Sequence, residues 1–131
     1  MQDRPTVSEL LAAVQHFLEA DAVPALDGPK KFHARVAANV LAIVRRELDG
    51  EEAQLRAECR RLDAVLGTAA ALGDLVQLRQ HVRARTEELC ARIRRGDADR
   101  GAWRAEVADH VRQTVLEKLR VANPKYLGAG T

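Results

Sequence analysis

The stretch KFHARVAANVLAIVRREL, residues 31–48, decides the fold prediction, because its apolar residues recur every three to four positions. That spacing is typical of one face of a helix, whereas a strand alternates every two residues. Every other long periodic segment of the chain shows the same helical period. We therefore predict an all-α protein: a single compact bundle of about five mostly antiparallel helices, in one domain over residues 1–131.

The apolar residues of this stretch define a broad face of the predicted helix. At 100° per residue, with Phe32 at zero, that face spans an arc of about 160°. His33 and Glu47 fall inside the arc, so we expect both to lie toward the core and to need hydrogen-bond partners from other helices. His33 is then either a structural histidine or a group for proton transfer or ligand contact. The arc contains Phe32, Val36, Val40, Ile43, Val44 and Leu48.

A second, polar stripe runs along one edge of the same helix. Arg35, Asn39 and Arg46 cluster there. The stripe is either a solvated edge or a surface that receives a carboxylate, a phosphate or a partner helix, since arginine is suited to all three.

Capping and breaking residues predict the helix boundaries. Thr6 with Glu9 forms a capping box for a first helix that should end near Asp21, before the prolines and glycine of AVPALDGPK. A second helix should run from about Lys30 to Leu48 and stop at Asp49-Gly50. Three more are expected over about 51–66, 74–94 and 101–121, giving an ordered core over residues 6–121 and terminal motifs over 1–5 and 122–131.

Each remaining helix also has a predicted buried face. These faces comprise Val7, Leu10, Leu11, Val14, Phe17 and Leu18 in the first helix; Leu55, Cys59, Leu62, Val65 and Leu66 in the third; Leu75, Leu78, Val82, Leu89 and Ile93 in the fourth; and Trp103, Val107, Val111, Val115 and Leu119 in the fifth.

Composition excludes several classes of function. The net charge is +2 and is spread evenly, and only four residues are aromatic, so we expect no nucleic-acid binding. No signal-peptide pattern or membrane-length apolar run is present, which predicts a cytoplasmic protein without a membrane segment. Cys59 and Cys90 lack metal-ligand spacing, so we expect free thiols, no metal and no cofactor. The bias toward arginine and alanine is typical of a GC-rich bacterial genome.

Three fragments are more distinctive than generic helix: MQDRPT, FHARVAAN with the following VRREL, and LEKLRVANPKYL. Over about residues 1–49 and 116–127 they resemble a family of small bacterial proteins of unassigned function. Genes of that family often lie beside aminoglycoside-phosphotransferase-like kinases and acyl-CoA dehydrogenases. The resemblance therefore implies a partner protein of one of these two kinds.

The resemblance also implies which residues matter. Lys125 stands where the family has arginine, which keeps the charge but loses a bidentate donor. We expect both terminal segments to pack near the polar stripe and to build one composite surface for a partner. The family signature falls on Asp3, Arg4, Pro5, His33, Arg35, Val36, Ala37, Asn39, Asn123, Pro124, Tyr126 and Leu127.

Two functions remain open at this stage. The first is a non-catalytic accessory module that associates with a kinase-like or acyl-CoA-handling enzyme, since no catalytic motif is recognisable. The alternative is a small enzyme or carrier that binds a phosphorylated or CoA-linked ligand through His33 and Arg35, or through His33 and His110. A cavity lined by His33 would favour that alternative. A homodimer through the leucine stripe of the fourth helix is a further expectation.

Overall fold

The computed structural model describes residues 4–67 and 73–128; Asp3 lies outside these ranges. Within them the chain is helical and contains no strand, so the all-α prediction is confirmed. The elements are α1 (Val7–Phe17), a π-helical turn (Leu18–Ala22), α2 (Val23–Ala25), α3 (Gly28–Leu66), α4 (Leu75–Arg94), α5 (Trp103–Ala122) and α6 (Pro124–Gly128).

The capping predictions hold where helices begin. The Thr6 hydroxyl accepts the amide of Glu9 at 3.2 Å, and the Glu9 carboxylate accepts the amide of Thr6 at 2.7 Å. Asp74 caps α4 by accepting the amide of Gln77 at 2.8 Å. These contacts satisfy amides that have no partner within the helix, which fixes where each helix starts.

The predicted break at Asp49-Gly50 is wrong, because α3 is one continuous helix of 39 residues. Gly50 is half-buried and has no positive φ, so it sits in the helix as an ordinary residue. An internal glycine costs only about 1 kcal/mol relative to alanine. That cost is small compared with the free energy that α3 gains by packing before and after Gly50. The glycine that ends α3 is Gly67, with φ 84°.

Helical structure continues at two prolines, Pro24 and Pro124, beyond the predicted helix ends near Asp21 and residue 121. Helix continues past Asp21 to Ala25, and a π-helical turn precedes Pro24. The wider turn lies where the proline ring would otherwise meet the carbonyl four residues earlier. Pro124 begins α6 and so does not close the helical region. Proline is favoured at this first position because the missing amide has no helical partner there.

The described residues form two compact units. The first contains the residues up to Gly50 together with Val121–Asn123, and the second contains Glu51–Arg120 together with the residues from Pro124 onward. The core of the second unit confirms the predicted faces of the third and fourth helices. It consists of Cys59, Leu62, Leu78, Val82, Leu89 and Val107.

Hydrogen bonding extends this second core to Trp103. Its indole nitrogen donates to the Val65 carbonyl at 2.8 Å, and the Arg92 guanidinium lies 4.0 Å from the centre of its ring. The leucine stripe of α4 is buried here, since Leu78, Val82 and Leu89 are at most 7 % exposed. These three side chains of the predicted dimer stripe are therefore packed inside the unit.

The buried face of α5 also differs from the predicted one. Val107 is buried, but Val111 and Val115 are exposed, and His110 is buried in their place. Residues four apart advance by about 40° around a helix, so a row of them drifts off any fixed face. The inward face follows the true helical period and so includes His110.

Among residues 4–67 and 73–128, none of the helices combines the length and the apolar character required to cross a bilayer.

Candidate functional site

A stripe of large apolar side chains lies in the open along α1. Val7, Leu10, Val14 and Phe17, which we call the α1 stripe, are 48–57 % exposed. Their predicted burial is wrong. The half-buried residues of this helix lie on a neighbouring side, which also carries its bonds to α3: the Ser8 hydroxyl donates to Asp49 at 3.3 Å. The stripe is left facing solvent.

The first half of α3 carries a second exposed row. Phe32, Val36, Val40, Val44 and Leu48, which we call the α3 ridge, are 39–63 % exposed, so their predicted burial is also wrong. The buried positions of this half are Ala34 and Ala38. A helix that packs through alanines approaches its neighbours closely and leaves its large side chains outside. Contiguous exposed apolar surface of this kind marks interaction sites in soluble proteins.

His33 and Glu47 lie with the α3 ridge and not in a core, which corrects the prediction that both face inward. Both side chains are exposed. The His33 ring packs edge-on against Phe32, with centroids 5.7 Å apart. Neither residue has a hydrogen bond or ion pair with the part of the chain that the structure describes. An imidazole and a carboxylate therefore lie within an exposed apolar face.

The predicted polar stripe separates into two roles. Arg46 is half-buried, and its Nε donates to the Val121 carbonyl at 2.6 Å, where a cation also complements the C-terminal end of α5. Arg35 and Asn39 are exposed and make no hydrogen bond or ion pair to any residue within 4–67 and 73–128. Arg46 thus links α3 to the end of α5, whereas Arg35 and Asn39 are available for contacts at the surface.

Most of the remaining residues implied by the resemblance that the structure describes lie at the surface. Arg4 pairs with Glu9 at 2.8 Å, so it supports the start of α1. Asn123, Lys125 and Tyr126 are exposed, and Tyr126 is 67 % accessible.

In the second unit, Asp63 is the centre of a polar cluster that the sequence analysis missed. Its carboxylate accepts from the Cys59 thiol at 3.5 Å and from His81 Nε2 at 3.2 Å, and it lies 3.3 Å from Arg85 Nε. Asp63 and Arg85 side chains are each 12 % exposed. The detectable signal was the spacing of four between Cys59 and Asp63 and between His81 and Arg85, which puts each pair on one helix face.

The chemistry of this cluster favours a structural role. The Cys59, Asp63 and His81 donor atoms lie within 4.8 Å of one another, a donor set that zinc accepts. The Arg85 guanidinium, however, already supplies positive charge to the same carboxylate oxygen that His81 contacts. Burial raises the pKa of the Cys59 thiol, and the charge of Asp63 raises it further. A thiol held in its neutral form is a poor nucleophile.

An open groove of about 360 Å³ lies between α3 and α5 in the second unit. His110 lines it and is 6 % exposed, and its Nδ1 atom has no hydrogen-bond partner among residues 4–67 and 73–128. Burial lowers the pKa of His110, and the neighbouring Arg61 lowers it further, against an opposing effect of Glu117. Arg61 is itself bound to Glu117 by two bonds of 2.9 and 2.6 Å. The groove is thus lined by His110 and not by His33, which belongs to the first unit.

Comparison with known proteins assigns the chain to a family. A family model described as Domain of unknown function (DUF6285) matches residues 24–126, so the chain belongs to that family. No curated protein matches the chain, and no solved structure does. The family has no assigned activity, and the surface of the first unit is the feature that most needs a functional explanation.

Proposed function

We propose that this member of the family is a non-catalytic interaction module that binds an enzyme through the α1 stripe. The observation that carries the proposal is the exposure of its four large apolar side chains, each about half accessible. Leaving such groups in water forgoes about 1.5–3 kcal/mol per side chain that full burial would provide. A partner that covers the stripe recovers that free energy as affinity.

The spacing of the α1 stripe indicates how a partner would bind. Val7, Leu10, Val14 and Phe17 follow the positions i, i+3, i+7 and i+10. That is the pattern by which an amphipathic helix inserts its anchors into an apolar groove of another protein. The capping box at Thr6 fixes the start of this helix, so the anchors are presented in a preorganised form.

The titratable groups of the second unit support a binding role over a catalytic one. Asp63 is held by Cys59, His81 and Arg85, and the pKa of the Cys59 thiol is raised. The pKa values of catalytic groups are typically shifted so that the groups react near neutral pH. The raised pKa of the Cys59 thiol, beside a carboxylate that is paired with Arg85, is a shift in the opposite direction. These groups serve the packing of α3 against α4.

The partner class comes from the resemblance to the bacterial family. Its gene neighbours are aminoglycoside-phosphotransferase-like kinases and acyl-CoA dehydrogenases, and we propose an enzyme of one of these kinds as the partner. Arg35 and Asn39, which are exposed and uncommitted within the described chain, are the first polar candidates for the edge of that contact.

The test is a binding titration of the purified protein against each neighbouring enzyme by calorimetry. Leu10→Asp with Val14→Asp should weaken binding by about 100-fold or more, because buried anchors dominate interface energies. His16→Asp is the control, since His16 is also exposed on α1 but points about 140° away from the centre of the stripe. Absence of binding to both enzymes, or equal weakening by the control, would contradict the proposal.

A further inference from the structure

The α3 ridge is a separate apolar surface, and its sequence is symmetric about its central residue. Val36 and Val44 lie four residues on either side of Val40, and Phe32 and Leu48 lie eight residues on either side. A two-fold axis makes each residue of one copy meet the mirror-numbered residue of the other, so a self-pairing surface must be complementary to its own reverse. The ridge satisfies this condition at its centre, where Val36 of one copy lies opposite Val44 of the other. Phe32 and Leu48 point about 80° to either side of Val40 and lie at the edges of the contact.

We propose that a second copy of this chain covers the α3 ridge, with the two α3 helices antiparallel and the two-fold axis passing beside Val40. The inference does not depend on the proposed function, which uses the α1 stripe on a different helix. A dimer formed in this way leaves α1 to its own partner.

The polar residues of the face specify the antiparallel direction. His33 lies seven residues before Val40 and Glu47 seven residues after it, about 10 Å along the axis in each direction. Both point within about 20° of Val40 around the helix. An antiparallel pairing therefore sets His33 of each copy opposite Glu47 of the other. A parallel pairing would set each residue opposite its own copy, with Glu47 against Glu47.

This pairing gives each of the two residues an interaction that one chain alone does not. Both side chains are exposed, and neither has an ion pair or hydrogen bond with the described part of its own chain. Two His33–Glu47 contacts would flank the apolar centre of the interface. Complementary charge at the edge of an interface fixes its register and disfavours other partners.

The exposed area is also close to what a stable dimer needs. With exposures of 39–63 %, the five ridge side chains leave roughly 400 Å² accessible on each copy. His33, Glu47 and the exposed Ala37 beside the ridge add to that area. The two ridges alone then total about 800 Å², and with these neighbouring residues the area approaches the roughly 1,000 Å² of specific interfaces.

The first experiment is the mass in solution, measured by light scattering across a range of protein concentrations, with helicity checked by circular dichroism. The 131-residue protein should approach twice the 14.4 kDa mass of one chain. Val40→Asp should weaken the dimer by about 100-fold or more, because two buried carboxylates would meet at the axis. Since Val40 is 49 % exposed in the single chain, that variant should keep its fold.

Arg35→Asp is the matched control. It places the same carboxylate at another exposed position of this half of α3, about 140° away from Val40 around the helix. It should leave the dimer within about 3-fold of the original strength. A protein that remains at the mass of one chain at concentrations near 100 µM would overturn the proposal. Equal loss in the two variants would also overturn it.

A charge exchange tests the direction and register. His33→Glu alone should weaken the dimer by about 5- to 10-fold, because it sets two glutamates against one another at both contacts. Glu47→Lys alone should weaken it as well, because it removes the carboxylate that faces His33 at both contacts. The double variant restores two opposite-charge pairs in the antiparallel arrangement, so it should recover most of the original affinity. Additive loss in the double variant would contradict an antiparallel pairing centred on Val40.

Discussion

The two halves of α3 use apolar residues in opposite ways. Up to Gly50 the helix buries alanines, and Val40 is 49 % exposed. Beyond Gly50 it buries large side chains, and Leu62 is completely inaccessible. The sequence of each half predicts an apolar helix face. An amphipathic pattern therefore indicates that a face will be buried, but not whether the same chain or another molecule buries it.

The largest expected effect compares Leu62 with Val40. Leu62→Ala should lower the free energy of unfolding by about 2–5 kcal/mol, because it removes buried methyl groups and leaves a cavity. Val40→Ala should change it by less than about 0.5 kcal/mol, since an exposed position loses little packing. Urea unfolding followed by circular dichroism measures both, at a protein concentration low enough to exclude self-association.

The outcome decides whether the contrast between the halves is real. A cost for Val40→Ala similar to that for Leu62→Ala would show that the α3 ridge is packed within the single chain. The description of the first unit would then fail, together with the dimer built on its ridge.

A second effect, smaller than the first, compares the acidic residues of the two halves. Asp63→Asn should lower the free energy of unfolding by about 3 kcal/mol, because it leaves the half-buried Arg85 and His81 without their shared carboxylate. Glu47→Gln should have almost no effect on the dilute protein, since Glu47 is exposed and unpaired within the described chain. Urea midpoints for the two variants provide the comparison. Equal midpoints would contradict the structural role of the Asp63 cluster.

Local signals predicted the start of α1 and the core of the second unit. Thr6 and Glu9 act through contacts within three residues of themselves, so the capping pattern is nearly sufficient to place them. Cys59, Leu62, Leu78 and Leu89 are buried as predicted, because large apolar residues at helical spacing met large partners.

Two of the errors arose where a row of residues four apart was treated as one face. Phe32 to Leu48 and Trp103 to Leu119 are such rows, and each row of five residues turns by about 160° around its helix. In α5 the second unit covers only part of that arc, so Val111 is left exposed and His110 is buried. The Asp63 cluster was missed for another reason: His81 and Cys59 are 22 residues apart, and only tertiary packing brings them together.

The smallest expected effect is the pH dependence caused by His110, the polar residue that the second unit buries where the sequence predicted valine. Burial and Arg61 lower its pKa below the ordinary 6.5, so the unfolded chain accepts a proton more readily than the folded one. Stability from this group is complete above pH 6.5 and is lost as the pH falls below that value. The loss cannot exceed about 1.4 kcal/mol per pH unit, the limit for a single proton.

His110→Gln should therefore flatten the decline in unfolding free energy between about pH 7.5 and pH 5.5, whereas His16→Gln, at an exposed position of α1, should leave its slope unchanged. Urea unfolding at a series of pH values measures both slopes. The His110 Nδ1 atom has no partner among the described residues. A variant that is less stable but keeps the original slope would show that the imidazole is protonated equally in the folded and unfolded states. The burial of His110 would then contribute to stability through packing volume alone, and the second unit would tolerate a charged imidazole at this buried position.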